Sequence, residues 1–476
     1  MTDTTTGKEI NTRIIVSILI TGAFIAVLNQ TLLATAIPTI MGDLNIDASQ
    51  AQWLTTVFLL VNGIMIPITA FLIETFTTRR LFMAAMGLFA AGTIIAAVSP
   101  TFGILIVGRI VQAMGAGIMM PLMQTVFLLI FPIDKRGAAM GLVGMVISFA
   151  PAIGPTLSGL IVDNYSWRLL FYIIFPIAII NLIVAYFKMT DVTTLKHPKM
   201  DALSIILSTF GFGGLLYGFS TAGSSGWGAP VVTITLAVGV VSLIAFITRQ
   251  LKLSTPILEF RVFKDPIFTL TTVITMIVFT AMIGAATILP LYIQDARGFS
   301  ALQSGLILMP GAIVMGICSP ITGRIFDKVG ARWLGLIGMA SLVGGTIPFV
   351  YFDGMTSLTA IATLHAFRML GMAMVMMPMT TAGLNRLSED LIPHGTAMTN
   401  TMRQVAGSIG TAVLITIMSS VAAGSAAAPS DALIEGVNTA FLVTAGISLL
   451  GLILSFFIKG KKKPRESFQP ASEKGS

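Results

Sequence analysis

The sequence is poor in charge and contains almost no cysteine. Of its 476 residues, 10% are Asp, Glu, Lys or Arg, whereas 55% are hydrophobic. A soluble globular domain carries about 25% charged residues, so this composition excludes an ordinary water-soluble fold. The single cysteine, Cys318, lies in an apolar run and excludes an intramolecular disulfide and a cysteine-based metal site. The three histidines are too scattered along the chain for a metal site, and no cofactor is expected.

Enzyme motifs are also missing. The chain has no Gly-x-x-x-x-Gly-Lys-Ser/Thr loop for nucleotide phosphates, no nucleophile elbow and no zinc-binding motif. We therefore expect neither ATP-driven work nor enzymatic catalysis.

Long apolar runs make up most of the chain. About 20 residues of helix cross the hydrocarbon core of a bilayer. Membrane barrels are built instead from short segments of alternating polarity, which these continuous runs do not resemble. The sequence therefore predicts an all-α polytopic membrane protein with fourteen transmembrane helices. The runs lie at about 14–40, 50–73, 80–99, 102–130, 137–162, 167–187, 203–222, 230–248, 266–293, 302–325, 331–351, 357–384, 396–421 and 436–458.

Basic residues fall in alternate loops and in the C-terminal tail. Arg79, Lys135 and Lys328 are examples on one side, whereas only Arg168 and Arg297 fall in loops on the other side. Since cytoplasmic loops are enriched in Lys and Arg, this pattern predicts that both termini are cytoplasmic. The net charge of +8 is explained by contact with anionic membrane lipid, so nucleic-acid binding is not expected.

The chain contains an internal repeat. Segment 67–79 recurs as segment 320–332 at a constant offset, which indicates duplication of a six-helix unit. The matched residues are Pro67 with Pro320, Ile68 with Ile321, Thr69 with Thr322, Ala70 with Gly323, Glu74 with Asp327 and Arg79 with Arg332. Weaker echoes pair Pro38 with Pro290, Ser49-x-x-Gln52 with Ser300-x-x-Gln303, Pro121 with Pro378 and Arg109 with Arg368.

The repeat predicts how the chain is divided. We expect a six-helix bundle at 1–190, two inserted helices at 191–250, a linker at 251–265, a second six-helix bundle at 266–458 and a basic cytoplasmic tail at 459–476. The linker mixes apolar and charged residues, which is typical of a segment lying on the membrane surface. No function for the two inserted helices follows from their sequence.

Candidate functional residues are polar groups and helix breakers inside apolar runs. Arg109 with Gln112 one turn later predicts a cavity or a buried partner, although a purely structural arginine is an open alternative. Span 5 holds Pro151, Gly154, Pro155 and Gly159, which favour bending and close helix packing.

Spans 12 and 13 supply a second set of candidates. His365 could relay protons through Arg368, or it could be an ordinary hydrogen-bonded histidine. Arg403 and Gln404 could line a cavity, although Arg403 could equally be a snorkelling anchor. Adaptable apolar side chains suit a polyspecific cavity, but ordinary packing also explains most of them. These candidates are Met119, Met120, Phe149, Met372 and Met376.

These motifs resemble the 14-span drug:proton antiporter group of the major facilitator superfamily, of the EmrB/QacA type. By its motifs the chain is most similar to the lincomycin-resistance, LmrB-like branch. The family's loop motif is matched by the second copy of the repeat and only partly by the first. The matching residues are Gly323, Asp327, Lys328, Gly330 and Arg332 in the second copy, and Arg79 and Arg80 in the first, where Glu74 stands in place of the usual aspartate.

The resemblance implies roles for these residues. It implies proton coupling and cavity lining at Arg109 and an exchange pathway shaped by span 5. A carboxylate at a helix end can pair with loop arginines and helix termini in one conformation and release them in the other, so the loop motifs themselves predict a conformational latch. A plain topology determinant is the alternative for Arg79 and Arg80. The family usually carries an aspartate at position 29, where this chain has Asn29 followed by Gln30, and no carboxylate lies near the middle of any span. We expect Asp327 with Arg332 to form the stronger half of the latch, leaving Glu74 free to titrate.

The resemblance also implies a function. We expect a monomeric, proton-driven exporter of amphiphilic drugs in a bacterial plasma membrane, whose partners are small substrates, protons and lipids. An exporter of an endogenous metabolite or fatty-acid-like anion is the alternative. A non-transporting membrane sensor is a remote third.

Overall fold

The computed structural model describes residues 11–193, 195–196 and 200–458. Within them, fourteen helices are long and apolar enough to cross a membrane, which confirms the predicted number. They are α1 (Thr12–Leu44), α2 (Ala48–Thr75), α3 (Thr78–Ala97), α4 (Phe102–Ile130), α5 (Arg136–Val162), α6 (Leu169–Lys188), α7 (Ala202–Ser225), α8 (Pro230–Lys252), α9 (Pro266–Leu291), α10 (Ala301–Val329), α11 (Ala331–Thr346), α12 (Leu358–Leu384), α13 (Ile392–Gly424) and α14 (Pro429–Ser455). The basic tail predicted at 459–476 lies outside the described residues.

Capping boxes start the second helix of each half. The side chain of Asp47 accepts from the backbone N–H of Gln50, whose own side chain accepts from the backbone N–H of Asp47. Ser300 and Gln303 make the same reciprocal pair at the start of α10. The capping pair that matches it in the first half is therefore Asp47 with Gln50, two residues before the sequence echo at Ser49-x-x-Gln52.

The start of α14 differs most from the sequence prediction. The helix begins at Pro429, several residues before the predicted run at 436–458. Asp431 and Glu435 lie in its first turns. Because these carboxylates interrupt the apolar pattern, the first turns resemble a loop in the sequence.

The helices form two six-helix halves with a hairpin beside them. The halves, α1–α6 and α9–α14, meet where α5 packs on α10 and where α2 packs on α13. Consecutive helices run in opposite directions, so odd-numbered helices start, and even-numbered helices end, at one face. We call this the basic face because Arg79, Lys135 and Lys328 lie there; the other is the opposite face.

The inserted helices α7 and α8 form a hairpin pinned at the basic face. The carboxylate of Asp201 accepts from Nε of Arg249 at 2.8 Å and from Nη2 at 3.1 Å. The hydrogen bonds from Arg249 lower the pKa of Asp201 to about 2. One residue on, the amide of Gln250 donates to Ser204 at 2.6 Å.

The linker after α8 packs into the protein. Ile257, Leu258 and Val262 are buried, and the ring of Phe260 meets that of Phe246 edge to face. The apolar side of the segment predicted to lie on the membrane surface therefore faces protein.

Candidate functional site

The second copy of the loop motif bridges the two halves through Asp327. Its Oδ1 accepts from the backbone N–H of Gly137 at 2.7 Å, and its Oδ2 accepts from that of Ala138 at 2.8 Å. These are the first N–H groups of α5, where a helix carries a partial positive charge and lacks intrahelical acceptors. The described hydrogen bonds of Asp327 therefore go to the start of α5, not to Arg332 as predicted.

Close backbone packing brings that carboxylate to α5. A Cβ on Gly323 would collide with the carbonyl oxygen of Gly137. One turn further along α5, a Cβ on Gly141 would lie 2.7 Å from Cα of Pro320. We call the contact surface between the two halves the seam. The motif glycine is therefore required by helix contact. Gly330, by contrast, ends α10 with φ near 80°, a conformation that glycine adopts without strain.

The first copy of the motif also bridges the halves, through Glu74. This side chain is only 7% exposed. Its Oε1 accepts from Nζ of Lys196 at 2.8 Å and lies 3.2 Å from Nε2 of His394 on α13. Nδ1 of His394 accepts from the backbone N–H of Glu259 at 3.3 Å. Glu74 therefore has two partners in the structure, and its predicted titration stays a prediction.

The two bridges occupy matching places in the repeat. Helix α5 starts with Arg136-Gly-Ala-Ala-Met140, and α13 has His394-Gly-Thr-Ala-Met398 at its start. Asp327 meets the first segment and Glu74 the second. We call these two contacts the latches. They differ chemically because one uses backbone N–H groups and the other a histidine ring.

The remaining motif residues stay within their own halves or carry no described partner. The backbone N–H of Arg79 donates to Asp191 at 2.8 Å, and its guanidinium lies over the ring of Tyr186 and donates to its carbonyl. No ion pair is formed among the described residues by the side chains Arg80, Lys328 and Arg332.

Neutral hydrogen bonds complete the closed seam near the basic face. Thr125 and Thr396 lie 2.7 Å apart through their hydroxyls. The amide of Asn400 donates to Oε1 of Gln124 at 2.7 Å, again from one half to the other. Arg403 in turn donates to Oδ1 of Asn400 at 2.7 Å and is buried. The structure thus places Arg403 in the seam.

Arg109 is the centre of a buried polar network in the first half. Its Nη1 donates to Oδ1 of Asn29 and to Oε1 of Gln112, both at 2.7 Å. Gln112 passes the network on by donating to Thr93 at 2.8 Å. The guanidinium also lies 4.1 Å from the ring centroid of Phe58. The structure therefore brings together three predicted residues, and Asn29 serves as a neutral partner where a carboxylate was expected.

Arg368 occupies the corresponding place in the second half. Its Nε donates to Thr346 at 2.9 Å and its Nη2 to the carbonyl of Ala281 at 3.3 Å. Rings of Phe349 and Phe441 flank the guanidinium. His365 is buried one turn away, but its Nδ1 has no partner among the described residues. No hydrogen bond joins it to Arg368, so the described contacts do not support a relay.

A cavity of about 320 Å³ lies between the halves, displaced toward the opposite face. Of the predicted residues, Gln30 and Gln404 line it. The described lining residues include no Asp, Glu, Lys, Arg or His. They are Gln30, Thr56, Leu59, Leu60, Leu216, Tyr217, Phe219, Ser220, Gly223, Phe279, Ile283, Thr287, Gln404, Gly407, Ser408, Thr411, Ala412 and Ile415.

Span 5 packs against α1 instead of lining this cavity. A Cβ on Gly154 would collide with the hydroxyl of Thr31, which donates to the carbonyl of Ala150 at 3.3 Å. Pro151 and Pro155 lie within α5, and nothing lies near Gly159. The predicted apolar lining residues are likewise absent from the cavity wall. They are Met119, Met120, Phe149, Met372 and Met376.

Comparison with known proteins decides the family. The family model described as Major Facilitator Superfamily matches residues 19–411. The chain belongs to this superfamily. It is 58% identical to "Uncharacterized MFS-type transporter YcnB" of Bacillus subtilis (strain 168), with 98% of each chain covered. It is 42% identical to "Lincomycin resistance protein LmrB" of Listeria monocytogenes serovar 1/2a, covering 97% of this chain and 99% of that protein.

A solved structure has the same major facilitator fold. The human organic anion transporter MFSD10 (TETRAN) superposes with a TM-score of 0.67 at 12% identity, covering 94% of this chain and 100% of that one. The predicted all-α major facilitator fold and the family are thus confirmed, and the chain is a multi-pass transporter of the plasma membrane. The cytoplasmic location of the termini stays a prediction.

Two features of the site were missed by sequence reasoning. Lys196, a basic loop residue, and His394, one of the three scattered histidines, both bind Glu74, and neither was a candidate from the sequence. Helix α7, for which no function was derived, supplies part of the cavity wall. The match between the starts of α5 and α13 could have revealed His394, whereas α7 carries no recognisable motif.

Proposed function

We propose that this major facilitator protein is a proton-driven exporter of amphiphilic drugs that works by alternating access. One observation carries the proposal: the cavity lies toward the opposite face while latches join the halves at the basic face. LmrB, named for lincomycin resistance, is similar over nearly its whole length. With the basic face in the cytoplasm, this arrangement is the one from which a cargo leaves the cell.

Alternating access requires the seam near the basic face to open. The latches of Asp327 and Glu74 and the hydroxyl pair of Thr125 and Thr396 join opposite halves, so they must part before the cavity reaches the cytoplasm. One proton crossing 100 mV supplies about 2.3 kcal/mol, which is comparable to the contribution of one charge-assisted hydrogen bond. A proton-driven cycle of latch breaking is therefore energetically reasonable.

The proton site in this proposal is the latch at Glu74. Arg109, Arg368 and Arg403 form no ion pair among the described residues, and Asn29 does not titrate. Glu74 is a buried carboxylate that contacts His394 across the seam and Lys196 of the α6–α7 loop. Protonating it removes the negative charge that accepts from the Lys196 ammonium and faces the His394 ring.

The test is flux in proteoliposomes with an imposed pH gradient. Lincomycin, ethidium and lauric acid are offered as cargo, and we expect gradient-dependent flux of at least one drug. Arg109→Ala should abolish coupled flux because Asn29 and Gln112 lose their shared donor. If the wild-type protein transports neither lincomycin nor ethidium, the proposal is overturned.

The proton site is tested by the pH profile of the same flux. Glu74→Gln should flatten the profile, because the amide keeps the shape and cannot titrate. Asp163→Asn and Asp295→Asn are matched controls, since both carboxylates are exposed near the opposite face. A profile unchanged in Glu74→Gln would place the proton elsewhere.

Export of an anionic metabolite or fatty acid is the second candidate. Three buried arginines each keep one terminal nitrogen without a partner among the described residues: Arg109, Arg368 and Arg403. Unpaired buried donors suit an anion better than a cation. Flux of lauric acid without flux of either drug would favour this candidate.

A further inference from the structure

Helix α7 closes the gap between the two halves along the α2–α13 edge. The ring of Tyr217 stacks on Trp53 of α2, with centroids 5.4 Å apart. On the other side, the hydroxyl of Ser408 on α13 donates to the carbonyl of Leu216 at 3.4 Å. Just beyond α7, Nε1 of Trp227 donates to Thr416 at 2.8 Å. The inserted helix is thus held by both halves.

Helix α8 supports α7 from behind. A Cβ on Gly214 would lie 2.9 Å from Cα of Gly239, so the two helices touch backbone to backbone. The side of α7 away from the cavity carries exposed apolar residues, of which Phe210 is 56% exposed. The helix therefore has a lipid side and a cavity side.

The cavity side of α7 adds ring faces and hydroxyls to the wall. Tyr217, Phe219 and Ser220 all line the cavity. No described hydrogen bond uses the hydroxyls of Tyr217 and Ser220, and none uses the side-chain amides of Gln30 and Gln404 on the facing helices. The hydroxyl of Thr411 is buried and likewise unpaired. These groups are available to a ligand.

The same wall is unsuited to a charged ligand. Its described residues include no charged side chain, and an ion moved from water into such a site loses solvation without gaining a counter-charge. Amides and hydroxyls both donate and accept, which matches neutral hydroxyl, amide and carbonyl groups. Aromatic faces stack on the flat rings of a ligand.

We infer that α7 is a specificity-determining wall of the substrate site, and that this site takes an uncharged amphiphile with a ring and several hydrogen-bonding groups. The ring stacks against Tyr217 and Phe219, while Ser220 and the two glutamine amides bind the polar groups. The inference rests on the proposed export function and adds the class of cargo. It also gives the α7–α8 hairpin a role: α7 supplies a part of the cavity wall that the twelve helices of the two halves do not supply.

Equilibrium binding to the purified full chain in nanodiscs tests the inference. The probes are chloramphenicol and prednisolone, which are neutral ring compounds with hydroxyl groups, and ethidium, a cation. We expect both neutral probes to bind at least tenfold more tightly than ethidium. Tyr217→Ala and Ser220→Ala should each weaken binding of a neutral probe by threefold or more.

Phe210→Ala is the matched control, because it removes an aromatic ring from the lipid side of the same helix. Gln404→Glu adds a carboxylate to the cavity wall and should tighten ethidium binding by tenfold or more. Because a misfolded variant would not bind ethidium more tightly, this result would also show that the variant is folded. Equal losses in Tyr217→Ala and Phe210→Ala would overturn the role of α7. Tighter binding of ethidium than of the neutral probes to wild-type protein would overturn the cargo class.

The two proposals fail in different ways. If the proteoliposomes transport ethidium but the neutral probes do not bind, export stands and the inference falls. If the neutral probes bind through α7 but neither drug is transported, drug export falls while the binding site stands.

Discussion

Replacing Asp327 with asparagine should open the basic face without unfolding the protein. The carboxylate accepts two backbone N–H groups at the start of α5, at 2.7 Å from Gly137 and 2.8 Å from Ala138. Asparagine has one acceptor oxygen and no charge. Asp327→Asn therefore keeps the volume of the side chain but loses one of the two bonds and the favourable interaction with the helix end.

The size of the effect follows from that loss. A hydrogen bond to a charged group contributes about 1.5–3 kcal/mol, and a charge at a partly buried helix end contributes up to about 2 kcal/mol. Because these terms overlap, we expect the closed state to lose about 2–3 kcal/mol. Since 1.4 kcal/mol is a factor of ten, the open fraction should rise about 30- to 140-fold.

Cysteine labelling measures the open fraction. The native Cys318 is first replaced by serine, and Thr125→Cys then places a thiol in the closed seam, where Thr125 is fully buried. The maleimide labelling rate should rise about 30- to 140-fold in Asp327→Asn, in proportion to the open fraction. Asp134→Asn is the matched control, because Asp134 is an exposed carboxylate just before α5.

A second thiol separates opening from unfolding. Ser158→Cys lies buried in α5 away from the seam contacts, and its labelling should stay unchanged in Asp327→Asn. If Thr125→Cys reacts no faster in Asp327→Asn than in Asp134→Asn, the latch carries no conformational energy and the reasoning is wrong. Equal acceleration at both thiols would indicate unfolding and would also contradict it.

Three further predictions follow from single contacts. Gly323→Ala should raise seam labelling more than tenfold because its Cβ meets a carbonyl of α5, whereas Gly159→Ala, with nothing near it, should have no effect. Arg109→Lys should lose most coupled flux, since a single ammonium cannot bond Asn29 and Gln112 and also replace the separate bond from Nε of Arg109 to the carbonyl of Leu54; retained flux would show that only the charge matters. Asp201→Asn should lower the melting temperature at pH 7, because the hydrogen bonds from Arg249 depress the pKa of Asp201 in the folded state. That stability is present above the unfolded pKa of about 4 and is lost as the pH falls, so the two proteins should converge in acid; a constant difference would contradict the pairing.

Local pattern was enough to predict the architecture. Apolar runs of span length define fourteen helices because a bilayer imposes that length on every helix that crosses it. The repeated segments 67–79 and 320–332 were also sufficient to place the loop motifs at equivalent points of two halves. Arg109 with Gln112 lies on one helix face, so their contact followed from spacing alone.

Partners across the seam were decided only by the tertiary structure. Asp327 reaches the start of α5 and Glu74 reaches His394, groups far apart in the chain that no local pattern connects. The sequence predicted the stronger latch at Asp327 but assigned it Arg332, because the loop motif places that arginine shortly after the carboxylate. It left Glu74 free because its partners come from α13 and the α6–α7 loop.

For α7 too, the sequence determines the helix, whereas the tertiary structure decides its role. The sequence determines that α7 is an apolar helix able to cross the membrane, but its lipid side and its cavity side are both apolar and aromatic. Phe210 and Phe219 are the same residue type, yet one is exposed on the lipid side and the other lines the cavity. Only packing between α2 and α13 distinguishes them, because in a membrane hydrophobicity does not tell the inside of a protein from its outside.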